Sequence, residues 1–534
     1  MFRSAVMSAS AVFALGVVLA SVGGRVASVA AEPAATFAKD VAPILHAKCV
    51  NCHRAGEVAP MSLVTYEDAR PWIRAIKTKV SARQMPPWFA DPAIGSFAND
   101  ARLTDAEIST ITGWVDAGAP FGNAKDMPPL PKFTEGWQLG EPDYVINLPE
   151  VQIPATGSDY FPTPNVTVDI PEDHWVRAIE IRPSNRVVTH HSVIFSTNAS
   201  ILNPNGFFDV LGVWAVGTPP TVYPEGTGRW VRKGSQLRTN LHYHPNGSAQ
   251  VDRTRVGLYF GKGELKKEVV AGVAGNVTFN IPAGAANHEL RAVYPVDQDI
   301  TVVSLFPHMH LRGKDMKMTA TFPDGRQQPL LNVPGYDFNW QLFYYPRTQV
   351  KLPAGTRVDL VAHYDNSEAN KNNPDPTRAV RFGEASSAEM MFGMFEFTAD
   401  AGVSPKPSNE RTRMEALMQT LPRDSAYLVQ VPFSKEPQNI AFDLPKSGDG
   451  YMYVSTFGIV INPVKLNGLK WTDSSFEFQT GIGMGPGQGF YTVRGTVAED
   501  GTVSGEFRRR GNTQPPAYDF SGTRGPVKRT PASQ

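Results

Sequence analysis

Six of the chain's 11 histidines fall in three short apolar segments. In Phe306-Pro307-His308-Met309-His310-Leu311 the two imidazoles lie two positions apart, directly after Val302-Val303-Ser304-Leu305. That apolar run reads as a β-strand, where residues two apart share a face, so His308 and His310 can hold one ion. Leu241-His242-Tyr243-His244 repeats the spacing, and a third segment carries the adjacent pair His190-His191. Imidazole is the commonest side-chain metal ligand and suits copper, zinc, iron and nickel. A first site takes His190, His191 and a third ligand from the segment holding His242 and His244. Neighbours on a regular strand point to opposite faces, so the adjacent pair can share an ion only where the strand kinks or ends. A second site takes His308 and His310. Its third ligand is either His363 or a thioether from the methionine-rich run Glu389-Met390-Met391-Phe392-Gly393-Met394.

A different chemistry sits near the N-terminus. Cys49-Val50-Asn51-Cys52-His53 is the attachment signature of a c-type haem: two thiols on one turn reach the two vinyl groups, and His53 faces the iron as its first axial ligand. A zinc site would need four ligands and finds only His46 in addition. These are the chain's two cysteines, so no disulfide is expected elsewhere. The second axial ligand should be a methionine. Met85, in Gln84-Met85-Pro86-Pro87, sits on a proline-stiffened loop, with Met61 as the competitor. Thr104 and Glu107 form a capping box ahead of the stripe Ile108, Ile111, Trp114 and Val115, and Gly118 and Pro120 end that helix. The segment resembles the small bacterial cytochromes c, whose Met-Pro-Pro loop precedes a C-terminal helix of this kind.

The elements that must position these groups are mostly strands. Charged residues make up only 19% of the chain, while Gly (46) and Pro (45) are abundant, which suits turn-rich β structure. At 534 residues the chain exceeds one hydrophobic core, so several domains are expected. The 51 basic and 51 acidic residues leave no footprint for nucleic acid. Arg3, the apolar run Ala11 to Ala20 and Val29-Ala30-Ala31 read as a secretory signal over residues 1–31, which implies a periplasmic protein. That run is too short to span a bilayer, and no later stretch could do so.

Residues 32–130 then form the α-helical haem domain, and Met127-Pro128-Pro129-Leu130-Pro131 is a stiff linker. Two alike passages follow. Asn165 to Pro171 with His174 and Arg177-Ala178 recurs as Asn276 to Pro282 with His288 and Arg291-Ala292, and each precedes a histidine motif. They imply two tandem antiparallel β-sandwiches, jelly-roll-like, over 135–268 and 269–402, each with its own metal site. Residues 403–534 read as a β accessory domain. A short helix is expected at Met414 to Gln419, with hairpin turns at Asn467-Gly468 and Asp500-Gly501 and a flexible hairpin loop in the glycine-rich 481–487. The tail after Arg524 reads as disordered.

From about Asp159 to Phe397 the chain resembles the copper type II, ascorbate-dependent monooxygenases, the family of dopamine β-hydroxylase and the peptidylglycine α-hydroxylating monooxygenase. There an adjacent His pair and a later His in a Val-His-Tyr-like strand hold one copper; a His-X-His and a Met after an acidic residue hold the other. The matching residues here are His190, His191 and His242 for the first ion, and His308, His310 and Met390 for the second. The resemblance implies two copper ions, O2 as co-substrate and hydroxylation of a C–H bond. The Met-ligated copper would meet oxygen and the all-histidine copper would supply the second electron. Two positions depart from the peptide-hydroxylating branch. Where that branch holds its substrate's carboxylate with Arg and Tyr, this chain has Phe306 and Met394, so a small, largely apolar substrate is expected. The fused haem would deliver electrons from a periplasmic donor to the all-histidine copper, at an effective concentration on the order of mM. Two other readings use the same residues: a haem and copper reductase of a small oxidant, and a non-catalytic electron-transfer or copper-binding protein. His244 would lie around the first ion rather than on it.

Overall fold

A computed structural model of the protein describes residues 35–133, 136–196, 210–456, 460–483, 487–511 and 517–525. The secretory signal expected at 1–31 and the tail beyond 525 lie outside them. The protein is mainly β. No helix among the described residues is long and apolar enough to cross a membrane.

The described helices other than Glu410–Met418 gather at the N-terminus, around a core of Phe37, Leu45, Ile76, Ile111 and Trp114. Asp105–Asp116 starts where Thr104 and Glu107 cap each other reciprocally, as their spacing requires. Gly118, at φ +86°, takes the left-handed turn that ends it.

The middle of the chain forms two pairs of sheets. In the first pair, Tyr144–Asn147, Arg255–Phe260, His174–Arg182 and Thr227–Val231 make one sheet; Asn165–Thr167, Gln236–Tyr243, Thr189–Ser196 and Val210–Ala215 make the other. Ile179 and Ile181 from one side share a core with Ile194, Leu237 and Leu241 from the other. In the second pair, Lys267–Asn276, Met391–Ala399, Ile300–Met309 and Val350–Leu352 oppose Gln327–Val333, Gly313–Thr321, Arg357–Tyr364 and His288–Pro295. Their core includes Ala292, Leu305, Met318, Leu360 and Phe395. A short parallel ladder, Lys267 to Thr227 and Glu268 to Gly228, makes the two units one continuous sheet.

Two features of this framework are not in the sequence reading. The residues after Met85 leave the helical core: Trp88, Ala90 and Phe97 are buried in the core of the second sheet pair. This arm is sewn down by Asp91 N to Asn332 O (2.8 Å), Ala98 N to Tyr345 O (2.8 Å) and Arg347 N to Ser96 O (2.7 Å). The last segment is also not separate. Val293 pairs with Ile461, so the sheet carrying His288–Pro295 runs on into nine antiparallel strands with an aromatic core including Phe442, Phe478, Tyr491 and Phe507.

Within that segment the helix runs Glu410–Met418, beginning earlier than expected because Asn409 caps it. Asp500-Gly501 makes a hairpin turn, with Gly501 at φ +85°. Asn467-Gly468 does not. Its flanking strands Val460–Lys465 and Asn467–Thr472 pair with different neighbours, and the ladder slips between Asn467 and Lys470, so the pair makes a bulge. The glycine-rich stretch joins the antiparallel strands Ser475–Ile482 and Gly489–Val497, although 484–486 lie outside the described residues.

Candidate metal centre

The adjacent histidines solve their geometric problem with a bulge. Thr189–Ser196 pairs with Gln236–Tyr243, and the register slips between Thr189 and His191, leaving His190 as the extra residue. Without that slip the two rings would face opposite sides of the sheet. With it, His191 lies directly opposite His242, and one ligand nitrogen from each of His190, His191 and His242 falls within 4.8 Å of the others. The rings of His190 and His191 stand 4.8 Å and 4.9 Å from that of His242.

The donors are desolvated and only partly used. His242 is 2% exposed, yet neither ring nitrogen makes a hydrogen bond, and His190 Nε2 is likewise buried without one. Burying unpaired polar atoms costs on the order of 1–3 kcal/mol each, so such a cluster fits a ligand. Burial, and then the neighbouring imidazoles, pull His190 down to about 3, and His191 well below its usual range. Both are therefore neutral at pH 7, the form that ligates a metal.

Asp159 closes one side. Its carboxylate accepts from His244 Nδ1 at 2.8 Å and from Ser386 Oγ, and it lies 3.1 Å from His242 Nε2, off the hydrogen-bond direction. His244 is itself exposed, beyond the strand end at Tyr243. Ser386 belongs to the second sheet pair, so Asp159 ties the units together beside the site.

Across this junction lies the second cluster. The rings of His308 and His310 stand 5.3 Å apart, and His308 is only 6.3 Å from His191. His308 Nδ1 donates to Gln341 Oε1 at 2.8 Å, which leaves Nε2 as the free donor atom. Burial lowers His308 to about 4 and His310 to about 3.

Met390 precedes the strand Met391–Ala399, whose ladder opposes Met309 with Met391 and His308 with Phe392. His310 and Met390 each lie one position beyond the last pair of that ladder. One buried carboxylate fixes both: Glu389 Oε2 accepts from His310 N (2.9 Å) and Met390 N (3.3 Å), and Oε1 from Arg312 N (2.6 Å). Burial pushes Glu389 up to about 7 against these three donors. His363, the other candidate third ligand, is held elsewhere, 2.7 Å from Asp315 and 3.5 Å from Glu289. Phe306 and Met394 oppose each other in the same ladder. Phe306 is 3% exposed and borders, with Met394, a space of about 30 Å³, room for a water rather than a substrate.

A much larger cavity, about 580 Å³, lies between the helical unit and both sheet pairs. Cys49, Cys52, His53 and Met85 line it, and Met61 is not among the lining residues. The two thiols are not joined to each other, and burial pushes Cys49 up to about 12. His53 Nδ1 faces Met61 O at 3.3 Å, an interaction that leaves Nε2 free, while His46, the spare zinc candidate, is engaged with Val64 O at 2.9 Å. The volume is in the range of cofactor sites. Arg186 pairs with Glu57 across the joint between the helical unit and the first sheet pair.

Sequence reasoning missed Gln341 and Phe338, whose ring stacks on His190 at 4.3 Å. Both belong to a loop with no recognisable spacing to any histidine. No family model matches this chain, and no curated protein matches it.

Proposed function

We propose that the protein is an exported copper-dependent monooxygenase that hydroxylates a C–H bond of a small, largely apolar molecule with O2. Electrons would reach it through its own c-type haem. One observation carries the reading: His190, His191 and His242 converge within 4.8 Å with unpartnered nitrogens on His190 and His242, His191 stands 6.3 Å, ring to ring, from His308 of the His-X-His pair, and the same chain holds a cavity lined by Cys49, Cys52, His53 and Met85.

In this reading the helical unit is a cytochrome c domain and the two sheet pairs are the copper-bearing sandwiches. His190, His191 and His242 hold one copper; His308, His310 and Met390 hold the other. Cys49 and Cys52 bind the porphyrin, and His53 and Met85 its iron. Bound there, copper and haem supply one-electron redox chemistry toward oxygen and the substrate. The donor types suit those roles, because three imidazoles serve both copper oxidation states while a thioether favours Cu(I).

The chain's own residues do the rest. Gln341 selects the His308 tautomer, Glu389 sets the backbone of His310 and Met390, and Asp159 and Ser386 bring the two sites together. Burial keeps His190, His191, His308 and His310 neutral.

Metal and haem analysis of the purified protein tests this directly. One haem and two coppers per chain are expected, with 18O from labelled O2 appearing in a hydroxylated product. Zinc in both sites, or label appearing only in water, would overturn it.

A further inference from the structure

The loop from Phe338 to Phe343 reaches both histidine clusters and the cavity wall. Phe338 stacks on His190 with ring centroids 4.3 Å apart and planes 16° from parallel. Gln341 holds His308 at 2.8 Å. Trp340, Leu342 and Phe343 form the second sheet pair's share of the wall of the 580 Å³ cavity. Phe343 is also the first ring of a stack. Its centroid is 4.5 Å from Phe306, and Phe306 is 6.4 Å from His308 and within 11° of parallel. The same arm that follows Met85 fixes this segment: Asn99, itself on the cavity wall, donates to Phe343 O (2.7 Å) and accepts from Tyr345 N (3.1 Å).

A buried phenylalanine beside a space of about 30 Å³ does not need a substrate to explain it, but it does join the cavity to an imidazole. From these contacts we infer that Phe343 and Phe306 carry electrons from the haem cavity directly to the His308 site. This inference rests on the haem and copper reading above. It adds that the all-histidine site is not an obligatory relay. The step balances simply: one electron leaves ferrous haem and reduces a cupric ion at His308 to cuprous, no proton moves, and an external one-electron reductant restores the haem.

The test uses anaerobic, copper(II)-loaded, ferric holoprotein, with the haem reduced by a pulse of photogenerated flavin semiquinone. Decay of the ferrous α-band and loss of the cupric paramagnetic signal report the transfer. In Phe343→Leu and Phe306→Leu the fast phase of haem reoxidation should be lost, with the haem potential and copper spectrum unchanged. An unchanged fast phase overturns the bridge. So does a loss accompanied by a shifted potential or altered copper spectrum, which would assign the rings to packing alone.

A second variant does not depend on replacing a buried ring. In His242→Ala, with the first site empty, the haem should still be reoxidised by the remaining copper; failure to do so overturns the direct route. Absence of any cupric signal at the start would instead sink the copper reading itself.

Discussion

At the scale of single residues, the centre is defined less by its ligands than by what holds them. His308 points a known nitrogen at the site only because Gln341 takes the other, at 2.8 Å. Gln341→Leu keeps the volume and removes the acceptor, so second-site metal affinity should fall by about 10–100-fold while the first site keeps its own, as competition titration would show. Glu389 poses a sharper case. Its two oxygens serve three backbone N–H groups, whereas an amide offers only one acceptor oxygen. Glu389→Gln must set its NH2 against Arg312 N or against the His310 and Met390 pair. Loss of second-site metal and about 1–3 kcal/mol of stability should follow, measured by metal content and denaturant unfolding. At this scale the sequence shows the donors and conceals their supports. His308 and His310 announce themselves by a spacing of two, and the need for a kink at His190 follows from strand geometry alone. Gln341 and Phe338 have no period or motif, because a loop brings them to the site through tertiary packing.

Among the elements, the arm between Met85 and the helix Asp105–Asp116 changes the picture most. Apolar residues between two helices of a small domain read as that domain's core. Here Trp88 and Phe97 instead pack on Tyr344, with centroids 5.0 Å and 5.4 Å away, because the helical core is already filled by Phe37, Ile111 and Trp114. The sequence does not reveal this, since apolar character says that a residue is buried and not against what. Phe97→Ala should therefore destabilise the second sheet pair by about 3–5 kcal/mol while leaving the fold around Cys49 and Cys52 intact. Thermal unfolding followed both by far-ultraviolet circular dichroism and by the visible bands of the proposed haem would separate the two. Coincident loss of both signals would show the helical unit and the sheets to be one cooperative block. The turns make the same point in reverse. Asp500-Gly501 turns between strands that pair with each other, while the equally turn-like Asn467-Gly468 opens a strand that does not pair with the one before it, and long-range pairing decided the outcome.

For the whole molecule, the consequence of gathering His190, His191, His308 and His310 at one junction is a pH-dependent cost of folding. Each is held below its ordinary value of 6.5, first by burial and then, for three of the four, by nearby imidazoles. For the fourth, His308, burial is followed by an opposing hydrogen bond to Gln341 and only then by His242. A group whose pKa is lowered on folding binds more protons when unfolded, so stability rises with pH through the window between the two values. The window runs from about 6.5 down to about 4 for His308 and about 3 for His190 and His310. The metal-free protein should thus lose stability steadily as pH falls from 6.5 toward 4, by an amount on the order of several kcal/mol, and show little further change from these groups below about 3. Bound metal adds stability without altering that slope, because these imidazoles are already neutral in the folded state across the window. Melting temperatures measured from pH 7.5 to 4 should lie higher with copper than with chelator, and the two curves should fall together between pH 6.5 and about 5. The gap should close only where protons displace the metal. Curves that coincide over the whole range would mean that the imidazoles of the junction do not bind the metal.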